Sequence, residues 1–195
     1  MNSASRLGLA ALVTLWSALA SAGTILERES TAPPEVAEAI EAVVLEWGRN
    51  WSTSNWTAVY DMWDPDEEAP YYLGEERPRW LIGQEGLASY FNPPKIVRLL
   101  MDRVMMTPYR LRVRLVADDI AIAIWENKLA VNITNRPAIS DNFRVNAVFR
   151  KTEDGWRFIH YAEAPMAPLM YLEHLYRKGV PANYEEIAMP MDPED

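Results

Sequence analysis

His160 is one of the chain's 2 histidines, and it stands in a segment with the alternation of a β-strand. Counting in steps of two places it in phase with Trp156, Phe158 and Ala162. A neutral imidazole beside aromatic rings can act as a general base near neutral pH when a polar partner orients it. The alternative is a buried histidine satisfied by a backbone carbonyl. His160 is therefore the first candidate for proton transfer.

Polar side chains on neighbouring predicted elements could assist it. Arg144 and Asn146 share one face of a predicted strand, where they could hold an anionic or phenolic oxygen and a carbonyl. The alternative is that this face is the convex, solvated or dimer-forming face of the sheet. Tyr60 follows the aromatic face of a short predicted helix, which makes it either a phenol in a pocket or a part of the core.

A long predicted strand places Glu126 and Lys128 on one face and Trp125 and Asn127 on the other. The charged pair is either a surface ion pair of little energetic value or the source of a carboxylate that works with His160.

The composition excludes several kinds of site. Cysteine is absent, and the 2 histidines do not stand at metal-ligand spacings, so we expect no metal site and no disulfide. No glycine-rich phosphate loop or dinucleotide fingerprint occurs, so we expect no cofactor. The formal net charge of −9 and the pI of about 4.8 oppose binding to nucleic acid or to an anionic membrane surface.

Helical spacing predicts the elements near the N-terminus. An amphipathic helix is predicted from residue 35, because apolar side chains recur three and four residues apart: Val36, Ile40, Val43, Val44, Trp47 and Trp51. Asn55 can cap a second helix over residues 56–63. Asn50 and Asn55 match the glycosylation acceptor pattern, as does Asn132, but we interpret the first two as polar residues beside inward-facing tryptophans at a helix corner.

The last third of the chain has the pattern of long strands. Strict alternation over residues 110–115 is followed by predicted strands over 120–133, 143–151 and 156–162, the last two joined by a hairpin turn. Short strands near 70–73 and 80–83 and a helix over 84–91 come before them, and residues 95–106 fit helix or strand. The predicted fold class is α+β, with a curved antiparallel or mixed sheet packed on N-terminal helices.

The two ends of the chain have their own patterns. Residues 1–22 have the form of a secretory signal, with Arg6, an apolar run and a small-residue cleavage site, so we expect a periplasmic or secreted protein that keeps no membrane attachment. An uncleaved anchor or a disordered start is the alternative. Residues 23–34 are predicted to be a linker and 165–195 a C-terminal helix with an acidic tail. His174 fits a solvated face of that helix.

Three motifs in this order resemble the nuclear-transport-factor-2-like superfamily, in its SnoaL-like branch. They are NWTAVYDMWDPD from residue 55, IGQEGLASYF from residue 82 and FRKTEDGWRFIH from residue 149. The resemblance covers residues 35–164. It implies a cone-shaped α+β barrel, open at one end into an apolar pocket and usually a homodimer through the sheet. Similar proteins include ketosteroid isomerase and scytalone dehydratase, while others only bind or scaffold.

The resemblance also implies positions for the site residues. The catalytic base of ketosteroid isomerase-like members would fall on Leu73 and their tyrosine on Trp47, so that machinery is not expected. The face of His160 resembles the pocket wall of the superfamily, and a C-terminal segment would cover the pocket. The residues expected to contact a substrate are Trp47, Trp63, Tyr72, Trp80, Trp125, Asn146, Met166 and Met170.

These observations predict a cofactor-free lyase, dehydratase or isomerase that acts on a small aromatic or polycyclic molecule. His160 would move the proton, while Tyr60 and Arg144 would stabilise an oxyanion. The alternative hypothesis is a non-catalytic binding or assembly module with the same fold.

Overall fold

The computed structural model describes residues 27–165 of the chain, and the predicted signal sequence, C-terminal helix and acidic tail lie outside this range. The described elements are β1 (Glu29–Ser30), α1 (Pro34–Ser52), α2 (Trp56–Asp61), β2 (Tyr71–Leu73), β3 (Leu81–Ile82), α3 (Gly83–Phe91), α4 (Lys95–Leu100), β4 (Met101–Ala117), β5 (Ile120–Ile133), β6 (Ile139–Thr152) and β7 (Gly155–Pro165).

One curved mixed sheet contains all of these strands, in the order β1, β4, β5, β6, β7, β2, β3. The four long strands are antiparallel neighbours, whereas β1 joins β4 and β2 joins β7 in parallel. This confirms the predicted α+β class. Within the predicted linker, Glu29 and Ser30 pair with Arg112 and Val113 at the sheet edge.

The sheet has an inner face, which packs against α1, and an outer face. The inner face carries Val113, Ala123, Ala147 and Tyr161, all nearly fully buried. The outer face carries the chain neighbour of each of these residues, and these neighbours pair with one another across the sheet: Arg112, Ile124, Asn146 and Ala162. Alternation on β5, β6 and residues 111–115 of β4 therefore places apolar side chains on the inner face, as the period of a strand requires.

The corner between α1 and α2 is built as the sequence predicts. The side-chain oxygen of Asn55 accepts a hydrogen bond from the backbone N–H of Ala58 at 3.3 Å, which caps α2. The rings of Trp51 and Trp56 meet edge to face with centroids 4.9 Å apart. Asn50 is buried, so the first acceptor pattern faces inward.

Residues 95–106 contain both of the structures that their sequence allowed. They form α4 up to Leu100 and then enter β4 at Met101. None of the described helices is long and apolar enough to cross a membrane. Within residues 27–165, no cluster of three or more histidine, aspartate or glutamate side chains could hold a metal ion.

Candidate active site

A β-bulge in the last hairpin decides which side chains of β7 enter the core. Phe149 pairs with Phe158, but the preceding residue Val148 pairs with His160, so Ile159 is an extra residue on β7. The alternation restarts after it. Trp156 and Phe158 face inward before the bulge, and Tyr161 faces inward after it.

The expected position of His160 was therefore wrong. The bulge turns the imidazole to the face opposite Phe158, where it lies 5.6 Å from the ring of Trp80 and 6.3 Å from that of Tyr71. Both neighbours are exposed. Partial burial lowers the pKa of His160, which favours the neutral ring.

The other two predicted catalytic residues lie in separate regions. Arg144 is on the outer face of β6, where it donates a hydrogen bond to the carbonyl of Pro165 at 2.7 Å. The hydroxyl of Tyr60 donates to Oε1 of Gln84 at 3.2 Å beside a different groove. His160, Tyr60 and Arg144 thus do not converge, and the predicted triad is not assembled.

Arg144 and Asn146 line an open groove of about 690 Å³ on the outer face. Of the two alternatives the sequence left open, the outward face is therefore the one observed, and the site roles assigned to Arg144 and Asn146 inside the cone are wrong. The physical reason is the alternation of β6, which buries Phe143, Val145 and Ala147. In the same groove, Oε2 of Glu126 lies 3.3 Å from Nη1 of Arg110. Glu126 is therefore part of a surface ion pair, as one of the two alternatives proposed, but its partner is Arg110 and not Lys128.

Most of the aromatic residues predicted to contact a substrate lie inside the fold. Trp47, Trp63, Tyr72 and Trp125 are each at most 2% exposed. Trp80 is 45% exposed on the outside, which contradicts its placement in the pocket. Met166 and Met170 lie outside the described residues. Tyr72 faces inward, because it pairs with the inward-facing Tyr161. Its neighbour Leu73 pairs with the outward-facing Ala162 and therefore faces outward.

Glu163 is the polar group that the restarted alternation brings to the inner face. The hydroxyl of Tyr161 donates a hydrogen bond to Oε1 of Glu163 at 2.6 Å, and the backbone N–H of Glu75 donates to Oε2 at 3.0 Å. No ion pair joins Glu163 to any residue of the range 27–165. The carboxyl group therefore has two hydrogen-bond donors and no neutralising cation.

Burial controls the protonation of this carboxyl group. Removal from water raises the pKa of Glu163 to about 8, and the nearby acidic residues Glu76 and Glu75 act in the same direction, while the two hydrogen bonds oppose them. Because this pKa is close to neutral, Glu163 can both hold and release a proton at physiological pH. A general acid or base requires this property.

Three tyrosines surround Glu163. The Tyr161 ring stacks on that of Tyr72 at 5.3 Å, and Tyr72 lies 5.1 Å from Tyr90. Burial, reinforced by the neighbouring acidic groups and phenols, raises the pKa of all three hydroxyls. They therefore stay protonated. Tyr90 in turn donates to Glu76, which is exposed, so the cluster extends from the interior to the surface.

Tyr161, Glu163 and Tyr90 are not among the site residues predicted from the sequence. Counting by two from Trp156 assigns Tyr161 and Glu163 to the outer face, and no feature of the letters marks the bulge at Ile159. The signal that could have found the pair is spacing. Tyr161 and Glu163 are two residues apart, so they share a face whatever the phase of the strand.

The sequence model of the SnoaL-like domain matches residues 40–168, which is more than half of the chain. The chain belongs to the SnoaL-like domain family. No curated protein matches it.

Solved structures of other members of the nuclear-transport-factor-2-like group share the fold. A candidate dehydratase from Streptomyces avermitilis has a TM-score of 0.59 at 15% identity, over 69% of this chain and 99% of that one. A superfamily protein from Salmonella enterica gives 0.56 at 12%, over 69% and 93%. The hexachlorocyclohexane dehydrochlorinase LinA-type3 from Novosphingobium barchaimii gives 0.54 at 15%, over 66% and 85%. These likenesses confirm the cone fold predicted for this SnoaL-like chain.

Proposed function

We propose that this SnoaL-like protein is a cofactor-free enzyme that transfers a proton on a small hydrophobic or aromatic molecule, in an elimination or isomerisation. One observation carries the proposal. The Glu163 carboxyl group lies on the inner face of the sheet, half-buried and hydrogen-bonded by Tyr161 at 2.6 Å, with no ion pair among the described residues. Several fold relatives are named as a dehydratase or a dehydrochlorinase, which supports the same class of reaction.

Each residue of the cluster has a role in this mechanism. Glu163, once deprotonated, takes a proton from carbon. Tyr72 remains protonated and can supply a hydrogen-bond donor to an oxygen on which negative charge develops, whereas the single O–H of Tyr161 bonds to Glu163 and positions it. The apolar rings around them exclude water, which strengthens these interactions. His160 replaces Glu163 in the mechanism only if the ring reaches the interior, and its position on the outer face argues against this.

The test uses 5-nitrobenzisoxazole as a probe of proton abstraction from carbon. A base removes the ring C–H proton, the released electron pair forms the nitrile and the N–O bond breaks, which gives a coloured cyanonitrophenolate without any cofactor. We expect turnover by the full chain to rise with pH and to level off above pH 8, following deprotonation of Glu163.

Glu163→Gln keeps the shape of the side chain but removes the base, and we expect it to lower turnover about 100-fold or more. The matched control is Glu153→Gln, which changes an exposed glutamate in the turn of the same hairpin and should leave turnover unchanged. Equal turnover by wild type and Glu163→Gln would contradict the proposal.

A second candidate function is a non-catalytic binding or assembly module. It is favoured by the packing of the interior, where Trp47 meets Trp63, Phe91 and Phe158 at ring distances between 4.8 and 6.4 Å. Such rings fill space that a substrate would need. Absence of turnover by the wild-type chain across the pH range would support this module over the enzyme.

A further inference from the structure

The side-chain amide of Asn127 is buried and has no hydrogen-bond partner among residues 27–165. Its residue surface is 0% exposed, and neither Nδ2 nor Oδ1 has a partner in the structure. The indole N–H of Trp125, two residues earlier on the same strand, is also buried and unpartnered. Leaving a buried polar group unsatisfied costs about 1 to 3 kcal/mol, so native proteins rarely keep one without a reason.

The strand register places this amide on the same inner wall as Glu163. Trp125 pairs with Val145, and Val145 pairs with Glu163. Asn127 is two residues after Trp125 on β5 and therefore lies on the same face. Asn127 and Glu163 are separated by two strand spacings of about 5 Å across the sheet and by a two-residue rise of about 7 Å along the strand. These displacements are perpendicular, so the Cα atoms are roughly 12 Å apart. By register, both residues belong to the inner face of the sheet.

We propose that Asn127 is the specificity-determining residue of this interior site and recognises a ligand that carries a hydrogen-bond acceptor and a donor on the same or adjacent atoms. This inference rests on the proposed function and names the substrate class: a ring compound with a lactam, a hydroxyl or a hydroxyketone group. The reason is the chemistry of the unpartnered atoms. Nδ2 and the indole N–H of Trp125 can only donate, and Oδ1 can only accept.

Glu163 then acts at the other end of the bound molecule. The spacing of roughly 12 Å between their Cα atoms, measured along one face of the sheet, suits a molecule of one or two fused rings that lies across this face. A site built to pair with a polar group discriminates strongly against an analogue that lacks the group, because its own polar atoms are then left buried and unpaired.

The test compares three bicyclic probes of nearly the same shape. Dihydroquinolinone is a lactam that can donate and accept, tetralone can only accept, and tetralin can do neither. Binding to the full wild-type chain is measured by tryptophan fluorescence and by the shift in Tm. We expect affinity to fall in that order, by about tenfold for each lost hydrogen bond. Equal affinity for all three probes would overturn the proposal.

Asn127→Leu removes the amide at nearly constant size. We expect this variant to lose the preference for the lactam, and its Tm to rise by about 4 °C or more because an unsatisfied buried group is removed. The matched control is Asn146→Leu, which changes an exposed asparagine on the outer face of the neighbouring strand and should alter neither quantity.

A purely structural amide gives the opposite result. If Asn127 holds a buried water, Asn127→Leu lowers the Tm and the wild-type protein shows no preference among the probes, and the proposal fails. Should Asn127→Leu not fold, Trp125→Phe removes only the indole donor and should weaken tetralone binding, whereas unchanged binding would count against the site. Glu163→Gln should keep the lactam preference, so a failure of catalysis is distinguishable from a failure of recognition.

Discussion

Glu126 and Glu163 are both glutamates on long strands of one sheet, but they face opposite sides of it. Glu126 lies on the outer face and pairs with Arg110 at 3.3 Å. Glu163 lies on the inner face with a phenol, an amide N–H and no cation among the described residues. Burial raises the pKa of Glu163 to about 8. The surroundings of a carboxyl group, and not its residue type, thus decide whether it can do acid–base chemistry near neutral pH.

The same contrast holds for the tryptophans. Trp47 is fully buried against Phe158 and Tyr161, with ring centroids 4.8 and 4.9 Å away. Trp80 is 45% exposed and packs only on Tyr71 and His160 among the described rings. Substitutions on the inner face are therefore expected to lower the stability of the fold more than substitutions on the outer face.

The largest expected effect on stability comes from removing a large side chain from the packed inner face. Trp47→Ala should lower the free energy of unfolding by about 3 to 5 kcal/mol, because it leaves a cavity among packed rings. Trp80→Ala, the matched change outside, should cost less than about 1 kcal/mol. Urea unfolding curves followed by circular dichroism measure both. Similar losses in the two variants would remove the distinction between the faces.

The next effect comes from the pH dependence of stability. Because the folded state holds the proton of Glu163 up to pH 8 and the unfolded chain releases it near its ordinary value of 4.5, the free energy of unfolding should fall as the pH rises between these values. The slope from this group is about 1.4 kcal/mol per pH unit at most.

Glu163→Gln should remove that slope, and Glu126→Gln should keep it. Unfolding at several pH values between 4.5 and 8 measures the difference, with the wild type as reference. A wild-type stability that rises through this window would show that Glu163 does not carry a buried proton.

The smallest expected effect concerns His160. His160→Ala should change the free energy of unfolding by less than about 1 kcal/mol, because the ring lies on the outer face. It should also leave the turnover of 5-nitrobenzisoxazole within about twofold of wild type. The comparison variant is Tyr161→Phe, which removes the hydroxyl bound to Glu163 and should reduce turnover. Loss of turnover in His160→Ala alone would restore the imidazole to the mechanism.

Much of the fold was predictable because most elements have a clear period. The helix from residue 35, the strand over 120–133 and the hairpin before Gly155 were all predicted from spacing and turn residues, and the structure confirms them. The strand β1 was not, since two residues are too few to show a period. Residues 95–106 could not be decided because they contain a helix followed directly by a strand.

The candidate site was less predictable because it depends on the phase of one strand. The facing of Arg144 and Asn146 could have been inferred from Phe143, Val145 and Ala147, which mark the buried side of β6. The facing of His160 could not, because the extra residue at Ile159 reverses the alternation without any glycine or proline to mark it. A local backbone irregularity, set by pairing with β6, therefore determines which side chains enter the interior.

The extra residue at Ile159 also affects how β7 responds to the deletion of a residue. Loss of the codon for Ile159 would straighten the strand and leave His160, Tyr161 and Glu163 on the sides they occupy now. Loss of a residue beyond the bulge, such as Ala162, would instead turn over the side chains that follow it. The bulge therefore gives β7 room for one deletion at residue 159 that the strand beyond Tyr161 does not have.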